Sequence, residues 1–351
     1  MAKLRIAVLF GGRSGEHEVS LISAQSVLQH LDRKKYDVLP VGITLDGSWK
    51  QAPLNADWTP AEVLRRGREL RLTPAPQAEW AADVVLPILH GTFGEDGTIQ
   101  GLLELTGVAY AGAGVLGSAA AMDKDIMKRL FRAAGLPIVP HQMIHRRQLR
   151  NHPEAAARAA RRGLRYPIFI KPANLGSSVG IRKVKRPGEL LPALRLAARF
   201  DDKIVAEQGV DAREIECAVL GNDQPRASVL SEIVPHREFY DYEAKYLESG
   251  TQLICPARLP ARIVRQVQKL AIAAFQAVDC AGLARVDFFL DRKSDAIYVN
   301  EINTMPGFTP ISQFPRMWAA SGLSYDRLLD RMIELARERA RERGRSIYKK
   351  N

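Results

Sequence analysis

The sequence has 351 residues and a formal net charge of +12; 46% of its residues are hydrophobic and 26% are charged. These values fit a soluble globular protein with two or three domains. No apolar run approaches the roughly 20 residues of a membrane-spanning helix, which argues against a membrane protein. The three cysteines lie far apart in sequence, so we expect free thiols in a reducing cytoplasm.

The positive charge raises one alternative, a basic protein that binds nucleic acid. The basic residues, however, are spread over helix-like segments with interleaved Glu or Ala, such as 153–163 and 337–345. Aromatic residues that could stack on bases are not interleaved with them. We therefore interpret the charge as an arginine-rich, solvated surface and predict no nucleic-acid partner.

The first predicted unit is a strand, a glycine turn and a helix, the usual opening of an α/β domain. Residues 4–10 are too short for the core of a signal peptide and predict a buried strand. The turn GGRSGEHEVS follows, and its glycines would let a ligand approach the N-terminus of the helix predicted at 19–31. It lacks the GxGxxG pattern, so a dinucleotide is not implied. The spacing alone favours Glu16 as a carboxylate that complements the helix dipole.

Two more buried strands, 37–44 and 83–89, continue this domain, whereas 50–82 is predicted to be irregular. The last of these strands runs into HGTFGEDGTIQG, which places His90 at a carboxyl strand end, where open α/β sheets bind ligands. A lone histidine is more often structural, so His90 is weak support by itself. The turn AGAGVLGSAAAMDK closes the domain near residue 122.

The second domain, predicted at 123–212, contains a small-residue loop between two strands. A helix begins at Asp123, with Lys124 near its start. The loop PANLGSS then separates the strands IFIK and VGIRKV. Its backbone N–H groups and hydroxyls can close over phosphates, with Lys171 at the strand end as a point charge. A Walker A pattern is absent, and a lysine inside an apolar strand argues against an ordinary flexible hairpin.

The third domain, predicted at 213–351, follows a strand that ends at Glu207 and a linker through Val210 to Glu214. Such a passage can present backbone groups to adenine and a carboxylate to ribose. The segment 236–256 is long, polar and rich in tyrosine, which is typical of a functional lid. Amphipathic helices are predicted on either side of the hairpin described next.

A predicted β-hairpin carries the most informative polar residues. The β-rich runs VDFFLD and AIYVNEIN flank the polar turn 292–295. Because side chains alternate along a strand, Glu301 and Asn303 share a face, and Asp287 on the partner strand can join them. Two carboxylates and an amide oxygen form a hard-oxygen site suited to Mg²⁺. Arg285 lies on the same face and could hold charge that develops during acyl or phosphoryl transfer. The apolar neighbours argue against a mere surface hairpin.

Together these segments resemble the D-alanine–D-alanine ligases of the ATP-grasp superfamily. The resemblance covers nearly the whole chain and rests on seven motifs in order: GGRSGEHEVS, HGTFGEDGTIQG, MDK, IKPANLGSSVGI, EFYDYEAKY, ARVDFF and NEINTMPGFTPIS. It implies an α/β (α+β) three-domain ATP-grasp fold, in which domain 1–122 has a parallel sheet and binds substrate. The two further α+β domains would sandwich ATP. The resemblance also implies a cytoplasmic homodimer that acts in peptidoglycan precursor synthesis.

The resemblance implies roles for the substrate-binding residues. Glu16 would hold the ammonium of the first D-alanine, which replaces the helix-dipole interpretation, and His90 would lie near its carboxylate. Arg285 and the Gly307 amide would stabilise the tetrahedral oxyanion. Ser312 would bind the carboxylate of the second substrate.

The resemblance also implies a lid contact and a nucleotide site. Ser177 and Tyr246 would form a hydrogen-bonded set with Glu16. Lys124 and Lys171 would bind the α- and β-phosphates, and Lys245 on the lid would reach the γ-phosphate. The other implied ATP contacts are Glu207, Val210, Glu214, Phe239, Phe289, Asn300 and Glu301. The implied ligands of two Mg²⁺ (or Mn²⁺) ions are Asp287, Glu301 and Asn303.

The implied reaction has two steps. The carboxylate of one D-alanine attacks the γ-phosphate of ATP, which gives an acyl phosphate and ADP, and the amine of a second D-alanine then displaces phosphate. The alternatives are a D-alanine–D-lactate ligase or another ATP-grasp carboxylate–amine ligase. Tyr246 directly after Lys245 matches the members that form a dipeptide.

Overall fold

The computed structural model describes residues 2–70, 82–234 and 251–346. These ranges contain three β-sheets and eleven α-helices. Within them, no helix combines the length and the apolar composition that crossing a membrane requires. The prediction of a parallel-sheet α/β unit followed by two α+β units is confirmed. The domain boundaries themselves stay a prediction.

The N-terminal sheet supports the first two loops of interest. Its strands are β1 (Leu4–Gly11), β2 (Tyr36–Ile43), β3 (Trp49–Gln51), β4 (Arg68–Glu69), β5 (Val84–Ile88) and β6 (Ala109–Tyr110). Its helices are α1 (His17–His30), α2 (Pro60–Arg66), α3 (Thr98–Thr106) and α4 (Val115–Met122). The strand order is β4-β3-β2-β1-β5-β6, with β1, β2, β5 and β6 parallel. The central strands are buried on both faces, which explains their continuous apolar sequences.

The middle sheet is antiparallel and carries helices on one face. Its strands are β7 (His141–His145), β8 (Ile168–Pro172), β9 (Arg182–Val184) and β10 (Lys203–Gln208), in the order β7-β10-β8-β9. The helices of this part of the chain are α5 (Lys124–Ala133), α6 (Arg146–Asn151), α7 (Pro153–Arg161) and α8 (Leu190–Ala197). Ile170, Ile204 and Ala206 pack into the core that these helices cover. Because side chains alternate, Lys171 and Glu207 point to the opposite face.

The C-terminal sheet is also antiparallel. Its strands are β11 (Ala212–Gly221), β12 (Arg226–Val234), β13 (Gln252–Ile254), β14 (Gly282–Asp291) and β15 (Ile297–Asn303), in the order β13-β12-β11-β14-β15. The remaining helices are α9 (Ala261–Ala277), α10 (Gln313–Ala320) and α11 (Tyr325–Arg343). Ile215, Cys217 and Phe288 share a core with α9, so the other face of the sheet is left for polar residues such as Glu214 and Glu216.

Two parts of the predicted element map are wrong. The segment 50–82, expected to be irregular, includes α2 and β4 in its described part. A capping box starts α2: the Thr59 hydroxyl accepts from the Glu62 N–H, and the Glu62 carboxylate accepts from the Thr59 N–H. The stretch before residue 122, expected to be a turn, folds as α4, where its alanines favour the helix. Helices α6, α8 and α10 also lack a predicted counterpart.

The last helix packs on the first sheet. Leu328, Met332 and Ile333 of α11 belong to the same buried core as Val8 and Leu86. Burial of such side chains contributes about 1.5–3 kcal/mol each. The two ends of the described chain therefore share one hydrophobic core.

Arg339 ties α11 to the edge of that sheet. The Arg339 guanidinium donates to the carbonyl oxygens of Gly112 and Tyr110, the latter at 3.1 Å. Its carbon lies 4.3 Å from the centre of the Tyr110 ring, which adds a cation–π contact. The Tyr110 hydroxyl in turn donates to Glu104, whose carboxylate also pairs with Arg343. Arg339 thus gives two backbone carbonyl oxygens a charged donor.

We predict that Arg339→Ala lowers the free energy of unfolding by about 2–3 kcal/mol, because charged hydrogen bonds and the ring contact are lost together. Urea unfolding followed by circular dichroism measures this value. Arg337→Ala, two positions away and exposed, is the matched control and should change stability little. Equal effects of the two substitutions would contradict the role of Arg339.

Candidate active site

The predicted hairpin is present as β14 and β15, and its register brings the expected residues together. Asp287 lies directly opposite Glu301, and Arg285 lies opposite Asn303. A register shift between Asp287 and Phe288 leaves Asn300 unpaired as a β-bulge. The bulge preserves the alignment of the two carboxylates while the strands continue to pair.

Arg285 is held by two carboxylates. Its Nε and Nη2 atoms donate to the two oxygens of Asp287, each at 2.7 Å. Its Nε also lies 3.1 Å from Oε1 of Glu216. Glu216 was not singled out from the sequence, although its position two residues after Glu214 on one strand predicts that both point to the same face.

The oxygen cluster fits a hard divalent ion. Burial raises the pKa of Asp287, and the neighbouring carboxylates Glu216 and Glu301 raise it further, against the opposing effect of Arg285. A divalent cation would remove this repulsion. In the described residues no three His, Cys, Asp or Glu side chains form a ready ligand cluster. The third oxygen ligand would be the Asn303 side-chain amide, whose oxygen accepts a hydrogen bond from the Met305 N–H at 3.0 Å.

Three buried charges lie between the middle sheet and α5. The two oxygens of Glu207 pair with the ammonium groups of Lys128 and Lys171. Burial alone would raise the pKa of Glu207, but the two lysines outweigh burial and lower it to about 2. Lys128 was not predicted; its ammonium also donates to the carbonyl oxygen of Asn300 at 3.2 Å. The triad therefore links the phosphate-binding candidate Lys171 to the bulge of the hairpin.

Lys124 bridges the small-residue loop and the hairpin. Its ammonium donates to the carbonyl oxygen of Leu175 at 2.8 Å and lies 3.8 Å from a carboxylate oxygen of Glu301. Lys124 on α5 and Lys171 on β8 thus both lie near Glu301, as a phosphate-binding pair requires.

The small-residue loop reaches the N-terminal domain. Ser177, whose φ is +49°, donates through its hydroxyl to Glu16. Glu16 is the N-cap residue of α1, and its side chain makes no capping bond there. A Cβ on Gly91 would lie 2.6 Å from Oε2 of Glu16, and one on Gly176 would lie 3.3 Å away. Glycines at both positions leave room for this carboxylate.

His90 is a buried connector rather than an exposed group. Its Nδ1 donates to the Met305 carbonyl oxygen at 3.1 Å, so its Nε2, 3.0 Å from the Ser23 hydroxyl, accepts. Ser23 accepts in turn from the Phe308 N–H at 3.2 Å. Burial and the nearby Arg285 lower the pKa of His90 to about 4, so the ring is neutral at pH 7. This chain of bonds fixes the loop that contains Gly307.

Ser312 and Gly307 lie side by side at the start of α10. The Ser312 hydroxyl accepts from the Thr309 N–H at 3.0 Å, and a Cβ on Gly307 would lie 2.7 Å from the same oxygen. Glycine at position 307 therefore keeps the approach to the serine hydroxyl open.

The candidate adenine contacts lie beside the triad. Glu214 pairs with Phe289 across β11 and β14, and Val210 lies half-buried in the linker before β11. Gly209 accompanies them: a Cβ there would lie 2.8 Å from the carbonyl oxygen of Pro167. The predicted lid residues Phe239, Lys245 and Tyr246 lie outside the described residues, as does most of the lid 236–256.

Glu95 is another buried carboxylate that the sequence did not single out. One of its oxygens accepts from the Gly91 N–H at 2.6 Å, and the Met305 N–H also points to it. Burial, and then the nearby charge of Glu16, raise the pKa of Glu95 well above its ordinary range. Its place in the GEDG motif, just after His90, was the available signal.

A largely parallel sheet is followed by two antiparallel sheets, and Lys124 and Lys171 lie beside the carboxylate Glu301 of the C-terminal sheet. This arrangement defines a nucleotide-dependent ligase of the ATP-grasp class. The family model described as D-ala D-ala ligase N-terminus matches residues 5–113, and that described as D-ala D-ala ligase C-terminus matches residues 130–334. The chain belongs to the D-alanine–D-alanine ligase family.

Individual relatives agree with this assignment. A D-alanine–D-alanine ligase of Thermoanaerobacter sp. (strain X514) is 48% identical over 344 residues, which is 94% of this chain and 95% of the relative. The solved D-alanine-D-alanine ligase from Coxiella burnetii superposes with a TM-score of 0.85 at 38% identity, covering 98% of this chain and 97% of that one. The VanG D-Ala:D-Ser ligase from Enterococcus faecalis also gives 0.85, at 35% identity and with 95% and 100% coverage.

The neutral state of His90 makes a prediction about acid stability. A histidine whose pKa falls from 6.5 in the unfolded chain to about 4 in the native protein stabilises the fold above pH 6.5. That contribution is lost as the pH falls toward 4, because the unfolded chain then binds the extra proton. Between pH 7 and 4.5 the loss amounts to about 2.4 kcal/mol.

We therefore predict that the free energy of unfolding of His90→Asn falls less over this pH range than that of the unmodified protein. Urea unfolding at both pH values measures the difference. Ser23→Ala removes a hydrogen bond to the ring but keeps the histidine. Its free energy of unfolding should therefore fall with pH as much as that of the unmodified protein. The same pH dependence in His90→Asn and the unmodified protein would contradict the assignment.

Proposed function

We propose that this chain joins two D-alanine molecules into D-alanyl-D-alanine, consuming ATP and releasing ADP and phosphate, for the synthesis of peptidoglycan precursors. The observation that supports this most directly is that Lys124 and Lys171 lie near Glu301, directly opposite Asp287 on the hairpin, in a chain that matches the family along almost its whole length. Cations on one side and oxygen ligands on the other are what the triphosphate of ATP requires.

The nucleotide would lie between the middle and C-terminal sheets. Lys124 and Lys171 would bind the α- and β-phosphates, and Lys245 the γ-phosphate. Glu207, Val210 and Glu214 would line the adenosine site with Phe289, Phe239 and Asn300. Lys171 already pairs with Glu207, so nucleotide binding would exchange a carboxylate for phosphate as its partner.

We propose that Asp287, Glu301 and Asn303 hold two Mg²⁺ or Mn²⁺ ions. Bound there, the ions would offset the negative charge of the phosphates during transfer. The donor set consists of oxygens only, which is the chemistry that Mg²⁺ prefers.

The substrates would bind at the junction with the N-terminal domain. Glu16, held by Ser177, would accept the ammonium of the first D-alanine, and neutral His90 would lie near its carboxylate. Arg285 and the Gly307 amide would face the oxyanion that forms when the second amine attacks. Ser312 would bind the carboxylate of the second D-alanine. Tyr246 of the lid would join Glu16 and Ser177 and cover both substrates.

We also propose a cytoplasmic homodimer. Leu105 at the end of α3 and Leu116 at the start of α4 are 68% and 65% exposed, and these two helices pack against each other. Large apolar side chains on neighbouring helices are suitable for contact with a second copy.

The metal assignment predicts that Glu301→Gln lowers kcat about 100-fold or more while the protein stays folded, since a ligand charge is lost without loss of volume. Phosphate release with ATP and D-alanine measures turnover. Asp295→Asn, on the exposed turn of the same hairpin, removes one carboxylate charge away from the site and should keep near-native activity. Near-native activity of folded Glu301→Gln would contradict the assignment.

The proposed substrate predicts the product of a competition assay. An α-amino group has a pKa of about 8, so output of the dipeptide should rise from pH 6 toward pH 9 as the free amine becomes available. With equal D-alanine and D-lactate at pH 7.5, D-alanyl-D-alanine should dominate, as mass spectrometry of the products would show. Mainly D-alanyl-D-lactate would support the alternative function, a D-alanine–D-lactate ligase. The same assay with D-serine in place of D-lactate tests for D-alanine–D-serine ligation.

A further inference from the structure

Four polar residues form one row across the C-terminal sheet. Ser231 lies opposite Glu216, Glu216 lies opposite Asp287, and Asp287 lies opposite Glu301. The row runs over the four adjacent strands β12, β11, β14 and β15 on the face away from α9. Glu216 therefore continues the line of the proposed metal ligands by one strand.

A carboxylate at this position is costly unless it has a partner. Like charges directly opposite each other on neighbouring strands destabilise a sheet. Glu216 is also buried, with 4% of its surface exposed. Its Oε2 accepts from the Ser231 hydroxyl at 3.1 Å, and its Oε1 lies 3.1 Å from Nε of Arg285. Glu216 is thus oriented toward the guanidinium by a hydrogen bond from the opposite side.

Arg285 contacts its two carboxylates in different ways. Asp287 accepts hydrogen bonds from both Nε and Nη2 at 2.7 Å, whereas Glu216 forms an ion pair, with its Oε1 3.1 Å from Nε. A divalent ion bound by Asp287 would compete with Arg285 for the same two oxygens. Glu216 would then be the carboxylate that still holds the arginine beside the reacting atoms.

We propose that Glu216 is a positioning residue that holds the guanidinium of Arg285 when Asp287 binds the divalent ion. This inference rests on the proposed roles of Arg285 and Asp287. On this proposal the ion replaces Arg285 as the partner of Asp287, and Arg285 keeps Glu216 as its partner. No charge is then left without a partner. It also keeps the guanidinium in place for the transfer step.

The experiment titrates Mn²⁺ in the presence of ADP and follows free ion by electron paramagnetic resonance. Glu216→Gln keeps the volume but removes the charge, so Arg285 stays on Asp287 and the ion must displace it. We expect the affinity for Mn²⁺ to fall about 10-fold or more, as for other residues that orient metal ligands. At saturating metal kcat should stay reduced, while the KM for ATP changes little.

The matched control is Glu232→Gln. Glu232 is the next residue after Ser231, is also buried, and also pairs with an arginine, Arg213, at 2.7 Å. Its side chain points to the opposite face of the sheet. This variant should lower thermal stability without changing the affinity for Mn²⁺.

A second variant separates positioning from simple charge. Glu216→Asp keeps the negative charge but shortens the side chain, so the carboxylate no longer reaches Nε of Arg285. Positioning predicts weakened Mn²⁺ binding for this variant as well, and the same variant decides the question if Glu216→Gln does not fold. Unchanged Mn²⁺ binding in folded Glu216→Gln, or in Glu216→Asp, would overturn this inference but leave the metal assignment standing. Absence of Mn²⁺ binding by the unmodified protein with ADP would overturn the metal assignment and the inference together.

Discussion

Compensation of buried charge is the constraint on which the candidate site depends. Ionised groups lose several kilocalories per mole of solvation when they are buried, and they stay charged only beside an opposite charge. Glu207 meets this condition with two lysines, and Arg285 meets it with two carboxylates. In each cluster the central group has one partner more than it needs. With that surplus, the proposed substrate or ion could replace one partner and the central charge would still have another.

Helix α5 connects these two clusters. Lys124 in its first turn approaches Glu301, and Lys128 one turn later contacts both Glu207 and the carbonyl oxygen of Asn300. Residues four apart lie on one face of a helix, so a single rigid element carries both ammonium groups. The same helix therefore contacts both the middle sheet, through Glu207, and the C-terminal sheet, through Glu301 and Asn300. The nucleotide proposed to bind between these sheets would find both ammonium groups already in place.

Much of this arrangement could be predicted from local sequence pattern. Alternation along β14 and β15 was enough to place Asp287, Glu301 and Asn303 on one face, and the apolar runs gave the buried strands of all three sheets. The bulge at Asn300 could not be predicted, because it depends on which residues of two strands pair. Lys128 shares this limit, because its partners Glu207 and Asn300 lie far away in sequence. Local pattern contained a signal for Glu216 and Glu95, but their distant partners Arg285 and Met305 appear only in the folded chain.

The shared core of α11 and the N-terminal sheet has a consequence for how the protein is made. Chains emerge from the ribosome N-terminal end first, and domains generally fold as units when they are complete. Here Leu328, Met332 and Ile333 of α11 share a core with strands β1 and β5, which are synthesised far earlier. Helix α1 packs into the same core and covers part of the sheet before α11 exists. Contacts of such large sequence separation slow folding, so the core of the first sheet is complete only after α11 has been synthesised.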